Sequence, residues 1–299
     1  MRKFIFFINP ISGTSNKEKL LEFIHSEMKK TGIGYEVMHT TKDGDYPFLR
    51  KKIAAENITD IIVCGGDGTI NQVVHALENE QVNIGIIPMG SGNGLALAAG
   101  ISKNKKKALE VILKGKASHV DGFLINGKFS CMLSGLGFDA QVAHDFAIQK
   151  TRGLATYMQQ TWINFQKAKP YRFRIILENE RILLDAFFIS IANSNQFGNH
   201  VTIAPKASLS DGLIDIVIAK KMSKAMLLYK VGRQLLFGAP ANDFSDEKIK
   251  KGQILYYQTK KLRIENLQMA PLHIDGDPMP TANAFEIAVM PRAFLLLKP

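Results

Sequence analysis

The residues best equipped for chemistry in this 299-residue chain sit in glycine-rich segments that follow apolar runs. Ile61-Ile62-Val63-Cys64 leads into Gly65-Gly66-Asp67-Gly68-Thr69, and a helical pattern containing Asn71 follows. Glycine admits positive φ and lets a ligand approach the main chain. The N–H groups of a helix start then face that ligand and favour an anion. Asp67 adds a carboxylate to the same loop, which phosphates tolerate only with a metal between them or a proton taken. That is the logic of Mg-nucleotide chemistry. Met89-Gly90-Ser91-Gly92-Asn93-Gly94, after the run 84–88, repeats the arrangement, and Asn9-Pro10-Ile11-Ser12-Gly13 is a third such loop. Further along, His273-Ile274-Asp275-Gly276-Asp277 places two carboxylates on a glycine bend, and either could take the proton of an acceptor hydroxyl. Ser210-Asp211-Gly212-Leu213 carries another aspartate, which an ordinary turn before a strand explains equally well.

Loops of this kind need strands that end along one edge. Apolar runs at 4–8, 61–64 and 84–88, with 35–40, read as strands. Helical spacing marks 17–30 (Leu20, Leu21, Ile24, Met28), 45–56, 69–77, a helix from about 93, and 105–113. Alternating β and α patterns predict an N-terminal doubly wound, Rossmann-like α/β domain. All three loops then fall at the carboxyl ends of strands, where open α/β sheets bind ligands. The texture changes near residue 118. Strand-like segments follow one another at 119–125, 129–134, 171–178, 182–192, 213–219, 253–258, 261–265, 285–290 and 293–297, and Asn126-Gly127 signals a hairpin. This half predicts a C-terminal antiparallel β-sandwich with helical insertions at 142–166 and 223–237. The expected domains are 1–117, which binds nucleotide, and 118–299, whose last residues either close the sandwich or return to the first domain.

Two segments imitate nucleotide motifs. Residues 122–129 read GFLINGKF, close to a P-loop, but phenylalanine stands where a hydroxyl must hold Mg²⁺ and the glycines fall on a hairpin. Gly135-Leu136-Gly137-Phe138-Asp139-Ala140 matches a dinucleotide fingerprint but lacks the βαβ unit that should follow, so tight strand-against-helix packing is expected there.

The formal charge of +11 favours anionic partners, whether nucleotide, membrane or nucleic acid. No zinc spacing or base-stacking motif accompanies it, which argues against nucleic acid. Cys64 and Cys131 lie in apolar runs and read as buried thiols of a cytoplasmic protein. The opening run ends at Asn9-Pro10, shorter than the ~7–15 apolar residues of a secretory core, and no run reaches the ~18 of a spanning helix. A membrane would therefore be met peripherally. Both helical insertions combine apolar stripes with base: Met158 and Trp162 near Lys150, Arg152, Lys167, Lys169 and Arg172, and Met226 and Leu227 near Lys221, Lys224, Lys230 and Arg233, followed by Lys248, Lys250 and Lys251. Such stripes either face a core or meet anionic headgroups.

The ordered set of motifs resembles the lipid kinase branch of the superfamily that joins diacylglycerol, sphingosine and ceramide kinases with NAD kinases and phosphofructokinases. Gly65–Thr69 is similar to the GGDGT motif of that superfamily. The NPxSG start and the PxGSGN loop resemble the lipid kinase branch, and the likeness continues through Gly135–Ala140, Ser210–Leu213 and Asp275–Asp277 to cover nearly the whole chain. The resemblance implies an ATP-dependent kinase that transfers the γ-phosphate to the hydroxyl of a lipid alcohol. It implies nucleotide contacts from Asn9, Pro10, Ser12, Gly13, Thr40 (with Thr41 as its neighbour), Gly65, Gly66, Asp67, Gly68, Thr69, Asn71, Gly90, Ser91 and Asn93. It implies Mg²⁺ held by Asp211 and the carbonyls of Ser208 and Leu213. The family carries Asp-Gly-Glu where this chain has Asp275-Gly276-Asp277, so the carboxylate is kept but is one methylene shorter. Asp277 is the favoured base, with Asp275 orienting it or acting itself; Asp67 could serve as base instead, and is assigned to Mg²⁺ and phosphate. Sphingosine kinases carry an acid for the substrate amine shortly after the central Gly-Phe. Here Gln141 and Ala143 stand nearby, with Asp139 and Asp145 close, which favours diacylglycerol or another neutral lipid alcohol. The rivals are a soluble NAD kinase-like enzyme, whose downstream Asn-Glu pair is missing, and a non-catalytic nucleotide- or lipid-binding relative.

Overall fold

A computed structural model describes residues 2–10, 17–41, 44–77, 80–151, 153–198, 201–229 and 254–299. The chain divides into two compact units: residues 1–120 with 292–299, and residues 121–291.

The first unit runs β1 (Lys3–Ile8), α1 (Lys17–Thr31), β2 (Gly34–His39), α2 (Leu49–Glu56), β3 (Asp60–Gly65), α3 (Asp67–Ala76), β4 (Asn83–Pro88), α4 (Gly94–Ala98) and α5 (Lys105–Lys114). The strands are parallel in the order β4-β3-β1-β2. β1 shows why: Phe4, Ile5, Phe6, Phe7 and Ile8 are all fully buried, so both of its faces are covered by helices. α1 buries Leu20, Ile24 and Met28, the stripe its spacing predicts. α2 begins at Leu49 rather than 45, and Asn57 ends it in the left-handed conformation (φ 51°).

In the second unit the order is β5 (Lys116–Ile125), β6 (Lys128–Ser130), β7 (Leu133–Gly137), α6 (Phe138–Ala147), α7 (Leu154–Lys167), β8 (Tyr171–Ile176), β9 (Arg181–Ala192), β10 (Gln196–Gly198), β11 (Val201–Thr202), β12 (Ile214–Lys220), β13 (Ile254–Thr259), β14 (Lys261–Asn266), β15 (Leu272–Ile274), β16 (Asp277–Met279) and β17 (Ala284–Lys298). β5 and β17 each run across the division between units. The pairing within this unit is antiparallel: β16-β15-β7-β9-β8-β14-β17, with β12 between β9 and β13. Alternate residues such as Ile189, Ile191, Ile214, Ile216, Ile218, Phe173, Ile264, Phe285 and Ile287 form the sandwich core. Phe187, Ala219 and Leu227 form a second cluster with Phe138 and Phe165 of the two helices.

Several elements differ from their sequence patterns. The helical run 142–166 is two helices, because the link after α6 ends in Gly153 at φ 114°. The run 129–134 is the end of one hairpin and the start of β7. The runs 285–290 and 293–297 are one strand, β17, in which Pro291 and Arg292 (φ 57°) mimic a break. From 223–237, only the part up to Tyr229 is described, with helix at 224–229. The P-loop look-alike is a β5–β6 hairpin in which a Cβ on Gly122 would meet the Phe129 ring at 2.5 Å.

Candidate functional site

The α/β sheet reverses its winding around β1: the chain passes from β1 to β2 on one side, then to β3 on the other. Ligands of such sheets bind outside the carboxyl ends at this switch, and the candidate loops converge there. Asn9 donates its N–H to the Cys64 carbonyl (3.1 Å) and its amide Nδ2 to Thr69 Oγ1 (2.8 Å), joining residues 60 apart in sequence. Thr40 N–H donates to the Ile8 carbonyl (3.1 Å), which brings Thr40 beside Asn9, and Pro10 is exposed next to it. Ser12 and Gly13 lie outside the described residues.

The loops 65–69 and 89–94 meet through bare main chain. A Cβ on Gly90 would stand 2.6 Å from Gly66 Cα, and one on Gly65 would stand 2.7 Å from Thr69 Cβ. Met89 N–H donates to the Gly65 carbonyl (2.9 Å). α3 opens at Asp67 after Gly66 without a side-chain cap, and Gly68 and Thr69 lie in its first turn with Asn71 beyond. An uncapped helix start offers N–H groups to an anion. Asp67 itself turns to the neighbouring loop, where Oδ2 accepts from Gly94 N–H (3.0 Å) and Oδ1 from Leu95 N–H (3.2 Å). It thereby caps α4. Asn93 is buried at φ 56° and exchanges two 2.7 Å hydrogen bonds with Gly90, while Ser91 is exposed at the tip. Sequence reasoning passed over Lys17, the first residue of α1. Partial burial lowers its pKa, opposed by the nearby Cys64 thiol, so its ammonium lies within electrostatic reach of the end of β3. A lysine directly behind a glycine loop was the available signal.

The acidic bend is a two-residue hairpin between β15 and β16, with Asp275 (φ 48°) and Gly276 (φ 88°) both in the left-handed region that such turns demand. Asp275 is buried and its carboxylate is surrounded by donors. Oδ1 accepts from Ser130 Oγ (2.7 Å), Met132 N–H (3.1 Å) and Leu133 N–H (2.9 Å). Oδ2 accepts from Cys131 N–H (2.9 Å) and the Cys131 thiol (3.3 Å). Two carboxylate oxygens offer about four lone-pair sites, so this acid is engaged as a strap between the bend and the β6–β7 link. Asp277, by contrast, is exposed. His273 braces the same bend: Nδ1 accepts from Gly276 N–H (3.2 Å), and Nε2 stands 3.6 Å from Asp139 Oδ2. Asp139 also accepts from Ala140 N–H (2.9 Å) and Ser190 Oγ (3.3 Å). A Cβ on Gly135 would lie 2.0 Å from Asp139 Oδ2, so the fingerprint-like Gly135–Ala140 run serves packing of β7 against α6.

At the loop 208–213, Asp211 is exposed and its Oδ1 accepts from Leu213 N–H (3.1 Å). Two buried acids that sequence reasoning missed stand behind it. Asp121 Oδ2 accepts from Gly212 N–H (2.7 Å), and its own N–H donates to the Leu209 carbonyl (2.7 Å). Asp215 accepts from the Tyr256 hydroxyl and leaves Oδ2 buried without a hydrogen-bond partner. Burial pushes Asp215 up to about 6. The signal was a lone aspartate inside each apolar strand, Val120-Asp121-Gly122-Phe123 and Ile214-Asp215-Ile216. Among the described residues no three His, Cys, Asp or Glu side chains converge as a metal cluster. A cation here would take oxygen donors with few carboxylates. The surplus negative charge around Asp211 suits one, so the loop fits the ion that the resemblance implies.

The chain matches the family description "Diacylglycerol kinase catalytic domain" over residues 3–125 and "YegS C-terminal NAD kinase beta sandwich-like domain" over residues 133–298. It is 26% identical to the diacylglycerol kinase of Bacillus subtilis (strain 168) over 282 residues, 93% of this chain and 90% of that one. It is 28% identical over 295 residues to the "Probable lipid kinase YegS-like" of Enterobacter sp. (strain 638), covering 95% and 92%. The crystal structure of a diacylglycerol kinase from Bacillus anthracis str. Sterne superimposes with a TM-score of 0.73 at 18% identity, covering 100% of this chain and 97% of that one. A further solved chain from that organism reaches 0.82 at 20% over the same shares. At such identities the structures speak for the fold. The two family matches together take in nearly every residue, and the chain belongs to the lipid kinase family that joins a diacylglycerol kinase catalytic domain to a YegS-type β-sandwich.

Proposed function

We propose that this lipid kinase transfers the γ-phosphoryl group of ATP to the hydroxyl of a neutral lipid alcohol, diacylglycerol or a close relative. The observation that carries the reading is the meeting of Asn9, Thr69 and the Gly66–Gly90 main-chain contact at the switch point, beside the uncapped start of α3. Phosphates would lie on the N–H groups of Gly65–Thr69, with Asn9, Pro10, Ser12, Gly13, Thr40, Asn71, Gly90, Ser91 and Asn93 bordering the nucleotide and Lys17 adding positive charge. Phosphoryl transfer asks mainly for positioning and charge stabilisation, and main-chain donors set by glycine contacts are prepositioned for that work. Asp277 would accept the proton of the attacking hydroxyl as the new P–O bond forms and ADP leaves. Asp275 and His273 hold the bend that presents it. Asp67 would fix the two phosphate loops against each other through α4 while its charge faces the nucleotide.

Asp211 and the carbonyls of Ser208 and Leu213 would hold Mg²⁺, which neutralises negative charge where it binds. A neutral headgroup is supported by the fate of the two acids nearest the central motif. Asp139 is committed to His273, and Asp145 accepts from Gln141 Nε2 (3.0 Å) and Asn164 Nδ2 (2.9 Å), so neither is set out for a substrate amine. The name of the Bacillus subtilis relative points to the same substrate class. No described helix is long and apolar enough to cross a membrane, so the enzyme would meet its substrate at the bilayer surface. The test is transfer of labelled γ-phosphate from Mg-ATP into an extracted lipid pool, with NAD as a soluble competitor. Label entering the phosphomonoester of a neutral lipid alcohol supports the reading. Label entering NAD alone contradicts it.

A further inference from the structure

Helix α7 is apolar on both sides: Tyr157 and Phe165 pack on Phe146 and Phe138 of α6, while other apolar residues point outward. Its buried residues are Gln160 and Asn164, 8% and 6% exposed, whereas Met158 and Trp162 are 55% and 54% exposed. Asn164 explains the inward face: Nδ2 donates to Asp145 Oδ2 (2.9 Å) and to the Gln160 carbonyl (3.0 Å), tying α7 to α6 by polar contacts. The indole of Trp162 stacks on Phe165 (centroids 6.1 Å, 20°) and so stands fixed on the outside. Ile148, in the link before α7, is 79% exposed. A helix satisfied by water alone turns such residues inward, and a clustered outward apolar face marks an interaction surface.

The charge around this face has one sign. No Asp or Glu occurs between Asp145 and Glu178. Lys150, Lys167 and Lys169 are exposed and make no ion pair among the described residues. The nearby Arg172 and Arg174, by contrast, are neutralised by Asp185 (2.9 Å) and Glu265 (2.5 Å). We propose that Ile148, Met158 and Trp162, rimmed by Lys150, Lys167 and Lys169, form the surface that docks on an anionic bilayer. Apolar side chains enter the headgroup boundary while lysines stay with the phosphates, the division of labour of an interfacial helix. A second copy pairing through this face would oppose lysine to lysine, which argues for lipid as the occupant. The inference deepens the lipid kinase reading, and its test reads binding alone, so either can fail without the other.

Trp162 is the single tryptophan of the chain, which makes it the reporter. Its emission is followed with vesicles of phosphatidylcholine and with vesicles that also contain phosphatidylglycerol, plain or brominated at shallow acyl positions. The expected result is a blue shift and bromine quenching on the anionic vesicles only. Co-sedimentation should weaken about fivefold for each of Lys150→Gln, Lys167→Gln and Lys169→Gln, with thermal stability unchanged. Absence of anionic vesicle binding would overturn the proposal. So would binding with unshifted, unquenched emission. Emission already blue and shielded from acrylamide without lipid would also overturn it, since protein would then cover the face.

Discussion

The two units each carry an aspartate beside glycine at a candidate site, and they use it differently. In the α/β unit Asp67 reaches two N–H groups of a neighbouring helix and remains part of a surface made of main chain. In the β unit Asp275 is buried under five donors, and Asp277, two residues on, is the exposed acid proposed as the base. The same Asp-Gly dipeptide is thus a bridge between loops in one place and a strap inside a fold in the other. What separates them is the number of donors the surrounding chain supplies. The glycine loops meet through close backbone contact, so their geometry rests on glycines. The bend is held from beneath, so its geometry rests on the buried Asp275 carboxylate.

That contrast can be broken, first and most severely, at Asp275. Asp275→Asn turns an amide nitrogen or a weaker acceptor toward donors now met by a carboxylate, and the unfolding free energy should drop on the order of 3 kcal/mol or more. Urea unfolding measures it, and an unchanged midpoint would remove the strap. Gly90→Ala forces a methyl onto Gly66 Cα and should cost about 1–3 kcal/mol, together with a raised KM for ATP at unchanged acceptor KM. Equal stability and KM would mean that the loops part without consequence. Asp67→Asn should lower stability by about 1 kcal/mol, the worth of a helix cap, yet reduce phosphoryl transfer far more than that loss of fold explains. The smallest effect is expected at the surface. Lys3 and then Lys52 hold the Glu56 carboxyl down at about 2. Its contribution is therefore complete above the ordinary carboxylate range and lost as pH falls toward about 2. Glu56→Gln should lower the melting temperature slightly at neutral pH, with the difference fading in acid and in salt.

Much of this arrangement is legible in the sequence, and the parts that are not share a cause. The mixed fold class follows from local signals: helical spacing at Leu20, Ile24 and Met28, the fully buried run of β1, and Asn126-Gly127. The glycine loops are legible because backbone freedom is a residue property. The partners of polar side chains are not. That Asn9 meets Thr69, that Asp67 caps α4, or that Asp275 accepts from three N–H groups of the 131–133 link depends on contacts 27 to 144 residues apart. The apolar stripe of α7 reads equally as core or as surface, because Met158 and Trp162 keep helical spacing whichever way the helix turns. Only the buried Gln160 and Asn164 decide it. Pro291 and Arg292 likewise hide the continuity of β17, since a proline in a strand pattern reads as a break.

The most direct test of the division between strap and base is a paired measurement on Asp275→Asn and Asp277→Asn: melting temperature beside the rate of phosphoryl transfer to a lipid alcohol. Asp277→Asn should keep the wild-type melting temperature and lose about a hundredfold or more in rate, while Asp275→Asn loses stability first. A stable, inactive Asp275→Asn beside an active Asp277→Asn would contradict that division and move the base to the buried acid.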